Sequence, residues 1–438
     1  MIGSFTRQGH QVHAVVHQSG PQGWPGNNGA VRVVPVPVVH WDPVNSLTKR
    51  LTRRSKSTSA RLVSEAIRGI PHPLQDPRHN PLRLHRWWVS AALGILECDV
   101  DVVWAADLNA LPAGVWAAEA AGLPLVFDSH EIGYELDYVP EVFRSVWRAL
   151  ASDFIPQADA VLVVTPDFLP LYSAFGVENM RVIPNLADGP EPYPRRRLRS
   201  SLGVADDALV AVHVGSVVEN REPGLGVAAL SHLPNLHFAF VGAISAAMGA
   251  DLRGKAAELG VGSRLHLLGS VPSAQVSDYI RDADVSCALY SPERSLNLKC
   301  ARPNKLYESL AADMPMVAPA GTSVGEFLVS NGFGGVFQDG DPADLARAIE
   351  VAASRHPRSM RTDIRREYCW EANDPAIADA LQVAVESSVR TRKDLSAVQS
   401  AELHSKPREA ATAGHSPKVL RRAKGMFQRV RSRSRLDA

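Results

Sequence analysis

The chain has 438 residues, too many for one compact core, and its 45% hydrophobic and 21% charged residues are typical of soluble globular proteins. No run of eighteen apolar residues occurs, which excludes a membrane-spanning helix, and the residues from Met1 to His10 lack the pattern of a signal peptide. The formal net charge of +1 is unevenly distributed, because basic residues crowd the C-terminal end. These features predict a cytoplasmic protein of two domains followed by a basic tail.

The four cysteines, Cys98, Cys287, Cys300 and Cys369, lie far apart in the sequence. None belongs to a CxxC pair, so neither a zinc site nor a disulfide framework is indicated. The sequence therefore predicts reduced cysteines and no structural metal ion.

The N-terminal end predicts two strands, at residues 12–17 and 31–39. The first is apolar enough to be a buried parallel strand, and Gly9 would close a helix just before it. Pro35 and Pro37 restrict the second strand to a sheet edge or a bend, since proline cannot donate a hydrogen bond to a neighbouring strand. The chain is thus expected to open inside a helix.

A basic and partly helical stretch over residues 49–70 is followed by Arg83, Arg86 and the pair Trp87 and Trp88. Basic residues beside two tryptophans suit a membrane interface. They also suit a solvated helix face with both tryptophans in the core. The sequence leaves both interpretations open.

Polar side chains follow two predicted strands of the first domain. Asp107 ends the strand at 101–107, and Asp128, His130 and Glu131 end the strand at 123–131. In open parallel sheets the carboxyl ends of the strands face the ligand crevice. We therefore predict that these four residues belong to a ligand site, although a single histidine is often structural.

The second domain predicts a glycine loop with nearby basic residues. A strand at 208–214 runs into Gly215 and Ser216, and Arg221 follows. Glycine lets the backbone approach a phosphate closely, and arginine can bind a phosphate through two hydrogen bonds. Further strands at 236–241, 265–268, 285–290 and 315–319 alternate with helices, which predicts a parallel sheet covered on both faces.

The segment 302–312 predicts a helix that begins at Pro303. Lys305 and Glu308 then share one face near the positive helix end, where an anion is favoured. The carboxylate of Glu308 can accept hydrogen bonds from both ribose hydroxyls, and the ammonium of Lys305 can bind the phosphates. An ordinary amphipathic helix with a charged surface is the alternative interpretation.

The segments 303–308 and 313–318 together resemble the donor-nucleotide motif of family 4 glycosyltransferases, and Asp-Ser-His-Glu at 128–131 is similar to a second motif of that family. The resemblance implies an α/β protein of the GT-B fold, with two Rossmann-like domains facing a central cleft. It implies the following division: an acceptor-side domain at 1–187 whose first strand is missing, a linker at 188–200, a donor domain at 201–373, a closing helix at 374–390 that packs back toward the first domain, and a disordered basic tail at 391–438.

The resemblance implies a retaining transfer of a sugar from a UDP- or GDP-sugar to a hydroxyl of a glycan or lipid-linked acceptor, in cell-surface polysaccharide or glycolipid biosynthesis. No cofactor and no metal ion are implied, and no Asp-x-Asp motif is present. His130 would contact the transferred sugar and Glu308 the ribose, and the acceptor or sugar side would include Asp107, Asp128 and Glu131. The implied catalytic residues are His130, Arg221 and Lys305, and the implied donor-binding residues are Gly215, Ser216, Arg221, Asn304, Lys305, Leu306 and Glu308.

The sequence departs from the family pattern at two places. The expected first strand is missing, and Cys300 stands where the family has the first of two glutamates, the second being Glu308. A GT-B protein that binds a nucleotide sugar without transferring the sugar is therefore the alternative function. For the tail, contact with the inner face of the cell membrane, simple solvation and contact with nucleic acid stay open, and nucleic acid is disfavoured as a partner of the whole protein.

Overall fold

A computed structural model of the protein describes residues 11–17, 31–36, 81–186, 198–354, 367–368 and 372–387. The predictions made for the opening helix, the basic stretch at 49–70, most of the linker at 188–200 and the tail at 391–438 lie outside the described residues. The predicted α/β class is confirmed, because every sheet is parallel and strands alternate with helices.

The N-terminal domain contains two parallel sheets. One pairs β1 with β2, and the other has four strands in the order β3-β4-β5-β6. The strands are β1 Val12–His17, β2 Val31–Val36, β3 Val103–Ala106, β4 Leu125–Ser129, β5 Ala160–Val163 and β6 Met180–Val182. Among the described residues, no ladder of backbone hydrogen bonds joins β1 or β2 to β3.

Four helices of this domain are described, and the core lies between them and the larger sheet. They are α1 Pro81–Leu96, α2 Leu111–Ala121, α3 Glu141–Phe154 and α4 Leu169–Ser173. Trp88 of α1 is 4% exposed and meets Trp116 and Trp147 edge-on. Its Nε1–H donates to the carbonyl of Asn109 at 2.6 Å, and Trp87 packs against the same core. Both tryptophans therefore serve the core, and the membrane-interface interpretation of this pair is wrong.

The C-terminal domain is one parallel sheet of six strands in the order β12-β11-β10-β7-β8-β9. The strands are β7 Leu209–Val214, β8 Leu236–Val241, β9 Leu265–Leu268, β10 Val285–Cys287, β11 Met316–Pro319 and β12 Gly334–Phe337. The strand order reverses between β7 and β10. In doubly wound sheets a ligand crevice opens beyond the carboxyl ends of the strands at such a reversal.

Helices cover both faces of this sheet, because each strand is followed by a crossover. They are α5 Leu198–Leu202, α6 Pro223–Ala229, α7 Ala246–Glu258, α8 Val276–Ile280, α9 Leu296–Cys300, α10 Asn304–Ala311, α11 Ser323–Asn331 and α12 Pro342–Ser354. The central strands are buried on both sides, as their near-continuous apolar sequences require.

A last helix, α13 at residues 372–387, packs on the N-terminal domain. Its Ile377, Ala380 and Ala384 are fully buried, at a spacing that places them on one helix face. They contact an apolar cluster of β4, β5 and the residue after β6. Arg181 adds an ion pair of 2.7 Å to Asp379. These contacts hold α13, the last described helix, against the N-terminal domain.

Candidate functional site

A cavity of about 450 Å³ opens at the carboxyl ends of β7 and β8 and at the start of α10. Six of the seven predicted donor-binding residues line it, namely Gly215, Ser216, Arg221, Asn304, Lys305 and Glu308. Glu131 of the N-terminal domain lines it as well. The structure therefore brings together residues that lie up to 177 positions apart in the sequence.

Two glycines allow the loops after β7 and β8 to approach each other. Gly215 has φ 112° and donates its N–H to the carbonyl of Val241 at 2.9 Å. Gly242 has φ 157°, and a Cβ built on it would lie 1.9 Å from the carbonyl oxygen of Gly215. A side chain at either position would strain the backbone or displace the neighbouring loop. The floor of the cavity is thus made of bare backbone.

Arg221 ends a short 3-10 helix, Glu219–Arg221, directly after this glycine loop. Its backbone N–H donates to the carbonyl of Val218 at 2.9 Å, which closes the turn. The turn brings the guanidinium to the cavity that Lys305 lines from α10. Two cations and exposed backbone amides at one place form a setting for a polyphosphate.

The helix α10 begins one residue later than predicted. Pro303 is extended, with φ −73° and ψ 163°, and Asn304 is the first helical residue. Proline lacks an N–H to give to the helix, and it fits equally well as the residue that leads into it. Lys305 and Glu308 share the face that lines the cavity, as predicted from their spacing.

Leu306 differs from the prediction that it binds the donor. Its side chain is fully buried and packs in a core cluster with Tyr307 and Leu310. Residues that follow Lys305 by one and two positions point to the opposite face of the helix, where they meet the sheet and α11. Leu306 therefore fixes the helix and leaves the cavity to its polar neighbours.

Burial and neighbouring charges shift the pKa values of two charged side chains in the cavity, Lys305 and Glu308. Burial, with the nearby Arg221, lowers the pKa of Lys305 to about 7. Burial raises the pKa of Glu308, and the charge of Lys305 opposes that rise. A bound anion would favour the ammonium form of Lys305, because an opposite charge stabilises the charged state. Anion binding above pH 7 would then draw a proton into the site.

A second polar cluster lies at the ends of β3 and β4. His130 Nε2 is 3.0 Å from Asp128 Oδ2, which also accepts the Nε1–H of Trp104 at 3.1 Å. Asp107, in a left-handed conformation with φ 63°, accepts the backbone N–H of His130 at 3.2 Å. The structure therefore joins Asp107, Asp128 and His130 by hydrogen bonds.

The cluster changes the interpretation of Asp128. Its side chain is 5% exposed, whereas that of His130 is 42% exposed. Burial closes the carboxylate of Asp128 to an acceptor or a sugar, contrary to the prediction, and its Oδ2 already has Trp104 and His130 as neighbours. Asp128 instead holds the imidazole ring of His130, which is open to the cleft.

His130 carries a positive charge in this setting. Burial alone would lower its pKa, but the hydrogen bond and charge of Asp128, together with the charge of Asp107, raise the pKa to about 9. Burial raises the pKa of Asp107, and the charge of His130 opposes that rise. At neutral pH the imidazolium can donate a hydrogen bond and cannot accept a proton.

Several contacts cross the cleft beside the cavity. The N–H of Ile132 donates to Asn297 Oδ1 at 2.8 Å, and Asn220 Nδ2–H donates to Asp137 Oδ2 at 2.6 Å. Elsewhere along the cleft, Ser323 donates to Asp167 and accepts from Arg302 Nε–H at 2.9 Å. None of these contacts was predicted from the sequence. The pairs that join the two domains lie 83 to 165 positions apart and leave no local pattern to find.

Cys300 does not line the cavity. It is half-buried and, with Ala301, packs against the core cluster of the N-terminal domain. Burial raises the pKa of its thiol, which keeps it neutral. It behaves as a small apolar residue in a contact between the domains.

The described residues contain neither a metal-binding cluster nor a membrane-spanning helix. In that part of the chain, no group of three or more His, Cys, Asp or Glu side chains is arranged to hold a metal ion. Nor does any helix within it have the length and apolar character needed to cross a membrane.

Comparison with known proteins gives matches along most of the chain. Residues 1–186 match a family model described as a glycosyl transferase 4-like domain, and residues 208–354 match one described as glycosyl transferases group 1. A D-inositol 3-phosphate glycosyltransferase of Geodermatophilus obscurus is 29% identical over 210 residues. That match spans 44% of this chain and 45% of the relative.

Solved structures resemble the whole two-domain arrangement. Sucrose-phosphate synthase of Thermosynechococcus elongatus aligns with a TM-score of 0.60 and 15% identity, covering 90% of this chain and 91% of its own. Anabaena Alr3699/HepE in complex with UDP and glucose aligns with a TM-score of 0.53 and 18% identity, covering 89% and 100%. At such identities the likeness establishes the fold, and the family models establish the class. The chain belongs to the glycosyltransferases of the GT-B fold, and its matches are compatible with family 4.

Proposed function

We propose that the protein transfers a sugar from a nucleoside-diphosphate sugar to an acceptor hydroxyl with retention of anomeric configuration. The observation that carries the proposal is the presence of Arg221, Lys305 and Glu308 in one cavity beside the bare backbone of Gly215. Cations suit a diphosphate, and a carboxylate suits the two hydroxyls of a ribose. The complex of Anabaena Alr3699/HepE with UDP-glucose supports a nucleotide sugar as the donor.

The diphosphate is the leaving group, and the site assists its departure electrostatically. As the bond from the sugar to the phosphate breaks, negative charge grows on the phosphate oxygen. Arg221, Lys305 and the amides at the start of α10 stabilise that charge without a metal ion. The lowered pKa of Lys305 does not prevent this, because the arriving diphosphate favours the ammonium form.

His130 acts from the opposite side of the cleft. Its imidazolium donates a hydrogen bond to the transferred sugar as the glycosidic bond breaks. His130 need not act as a general base, because the departing phosphate oxygen takes the proton of the acceptor hydroxyl on the same face of the sugar. Asp128 fixes the ring and Asp107 fixes the backbone from which the ring projects.

We further propose a UDP- or GDP-sugar as donor and a glycan or lipid-linked hydroxyl as acceptor. The role would be in cell-surface polysaccharide or glycolipid synthesis, in the cytoplasm or at the inner face of the cell membrane. The D-inositol 3-phosphate glycosyltransferase relative supports a hydroxyl acceptor in general. No cofactor beyond the nucleotide sugar is required by this chemistry.

A hydrolysis screen over nucleotide sugars tests the proposal, since many transferases slowly hydrolyse their own donor. We expect one donor to be consumed, and Lys305→Ala to abolish that consumption. Calorimetry with the matching nucleoside diphosphate should show tight binding. No consumption and no binding with any donor would refute the proposed function.

The second candidate function is nucleotide-sugar binding without transfer. It is favoured by Cys300, which replaces the first family glutamate with a thiol that does not reach the cavity. The same screen separates the two functions. A donor that binds in calorimetry but is neither hydrolysed nor transferred to any acceptor would favour the binding protein.

A further inference from the structure

Glu131 is the only residue of the N-terminal domain among the described residues that line the donor cavity. We propose that Glu131 recognises the transferred sugar of the donor, selecting neutral hexoses through their hydroxyl groups and rejecting hexuronic acids. The inference rests on the proposed function, because it assigns one end of the same site. It chooses the sugar for Glu131, which the resemblance had assigned, with Asp107 and Asp128, to the acceptor or sugar side.

Glu131 and Glu308 line the cavity from different domains. Arg221 and Lys305 line the same cavity from the domain that carries Glu308. Burial and the carboxylate of Asp107 raise the pKa of Glu131, and the charge of Arg221 opposes that rise. With ribose on Glu308 and diphosphate on the two cations, the sugar reaches Glu131.

The backbone of Glu131 is held from both domains. Its carbonyl accepts the hydroxyl of Ser129 at 2.8 Å, and Tyr172 lies 3.5 Å from the same oxygen. The next N–H, of Ile132, donates to Asn297 Oδ1 at 2.8 Å, and Asn297 itself lines the cavity. These hydrogen bonds fix the backbone from which the carboxylate of Glu131 projects. The position of the carboxylate therefore depends on contacts between the two domains.

The carboxylate of Glu131 retains capacity to accept hydrogen bonds. Its described side-chain contact is a long one of 3.5 Å from the hydroxyl of Tyr138. An ionised carboxylate has about four acceptor positions, so most remain open toward the cavity. Sugar hydroxyls are the donors that the proposed ligand brings to this place.

The negative charge of Glu131 produces the selectivity between neutral hexoses and hexuronic acids. A hexuronic acid would bring a second carboxylate next to Glu131 in a half-buried site, where repulsion between like charges is poorly screened. A neutral hexose brings only hydroxyl groups. We therefore expect the protein to bind a nucleotide hexose at least about tenfold more tightly than the matching nucleotide hexuronate.

The test is calorimetry on wild-type protein and on Glu131→Gln, which keeps the shape and removes the charge. The probes are UDP, UDP-glucose and UDP-glucuronate, and in parallel GDP, GDP-mannose and GDP-mannuronate. In the variant we expect nucleoside-diphosphate affinity within about twofold of wild type and nucleotide-hexose affinity reduced about tenfold. The preference for hexose over hexuronate should largely disappear.

Glu308→Gln is the matched control, since it changes a carboxylate of the same cavity at the ribose end. It should weaken all probes alike and leave the preference for hexose intact. Thermal unfolding of both variants checks folding, and Glu131→Asp serves as a second variant that keeps the charge and should keep the preference.

Two results would overturn the inference. One is a Glu131→Gln protein with unchanged selectivity between hexose and hexuronate, and the other is an equal loss of affinity for nucleoside diphosphate and nucleotide hexose. Failure of nucleotide binding gives a different result, because then the wild-type protein binds neither UDP nor GDP. Failure of transfer alone leaves the preference in binding intact and is detected by the hydrolysis screen.

Discussion

At the ends of β7 and β8 the cavity is built from glycine backbone and the first turn of a helix, whereas the polar cluster at the ends of β3 and β4, outside the cavity lining, is built from hydrogen-bonded side chains. The first arrangement follows from local chain geometry, with Gly215 and Gly242 in conformations that other residues rarely adopt. The second exists only because Asp107, Asp128 and His130 meet across neighbouring strands. The nucleotide end is therefore formed by one domain alone, and the sugar end depends on contacts between elements.

The two ends should respond differently to substitution, and His130→Ala gives the largest expected effect. We expect turnover to fall about 100- to 1,000-fold, as for loss of one donor to a charge that develops during the reaction. The dissociation constant of the nucleoside diphosphate should stay within about twofold. Steady-state kinetics and calorimetry would be compared with His232→Ala, an exposed position in the other domain. A lower melting temperature with normal turnover of the folded fraction would show that His130 is structural.

Glu308→Ala probes the nucleotide end. We expect nucleoside-diphosphate binding to weaken by about 1.5–3 kcal/mol, or roughly 10- to 150-fold, through loss of hydrogen bonds to a charged group. Glu258→Ala, at an exposed position of α7, is the control. Calorimetry measures both. A dissociation constant equal to that of wild type would rule out the ribose contact.

Asp128→Asn tests whether the sugar end needs a charged imidazole. The pKa of His130 is raised from 6.5 to about 9, so the imidazolium form persists in the wild type until the pH rises through about 9. The folding stability that comes from this pKa shift is fully present below pH 6.5 and is lost as the pH rises through about 9. In the variant the pKa should return toward 6.5, because the carboxylate of Asp128 is gone while the charge of Asp107 still opposes the effect of burial.

Turnover of Asp128→Asn at pH 8 should therefore fall roughly 10- to 30-fold, with near-normal turnover at pH 6. A pH profile of kcat between pH 5.5 and 9.5 measures this, and Asp153→Asn at an exposed position of α3 is the control. A profile that keeps its wild-type shape would mean that the charge of His130 is not used.

The contrast between the two ends of the cleft explains which site residues could be predicted from the sequence. Gly215, Lys305 and Glu308 were found because glycine, proline and helical spacing have local consequences, and their placement in one cavity agrees with the prediction. Leu306 was assigned to the donor because it stands inside the motif, although helical geometry turns it toward the core. Asp128 was assigned to the site because strand ends face the crevice, but the sequence does not reveal that its carboxylate is buried beside Trp104 and His130.

The contacts across the cleft lie beyond such reasoning for a physical reason. Asn297 is 165 positions from Ile132, and Asn220 is 83 positions from Asp137. No periodicity or characteristic spacing in the sequence predicts either contact, because the relative position of the two domains determines both contacts. The placement of Glu131 in the cavity that the C-terminal domain lines follows from the same relation between domains.

The smallest expected effect comes from removing metal ions. Arg221 and Lys305 line the cavity where the diphosphate is proposed to bind, so the charge that a divalent ion would neutralise already has protein partners. Turnover measured in excess chelator should therefore stay within about twofold of the untreated protein. The control is Lys305→Ala in the same buffers, which should lose turnover with and without added Mg²⁺, since a mobile ion does not replace a fixed ammonium in the cavity. A complete loss in chelator that Mg²⁺ or Mn²⁺ restores would show that the nucleotide end is not self-sufficient, and the contrast between the two ends of the cleft would have to be redrawn.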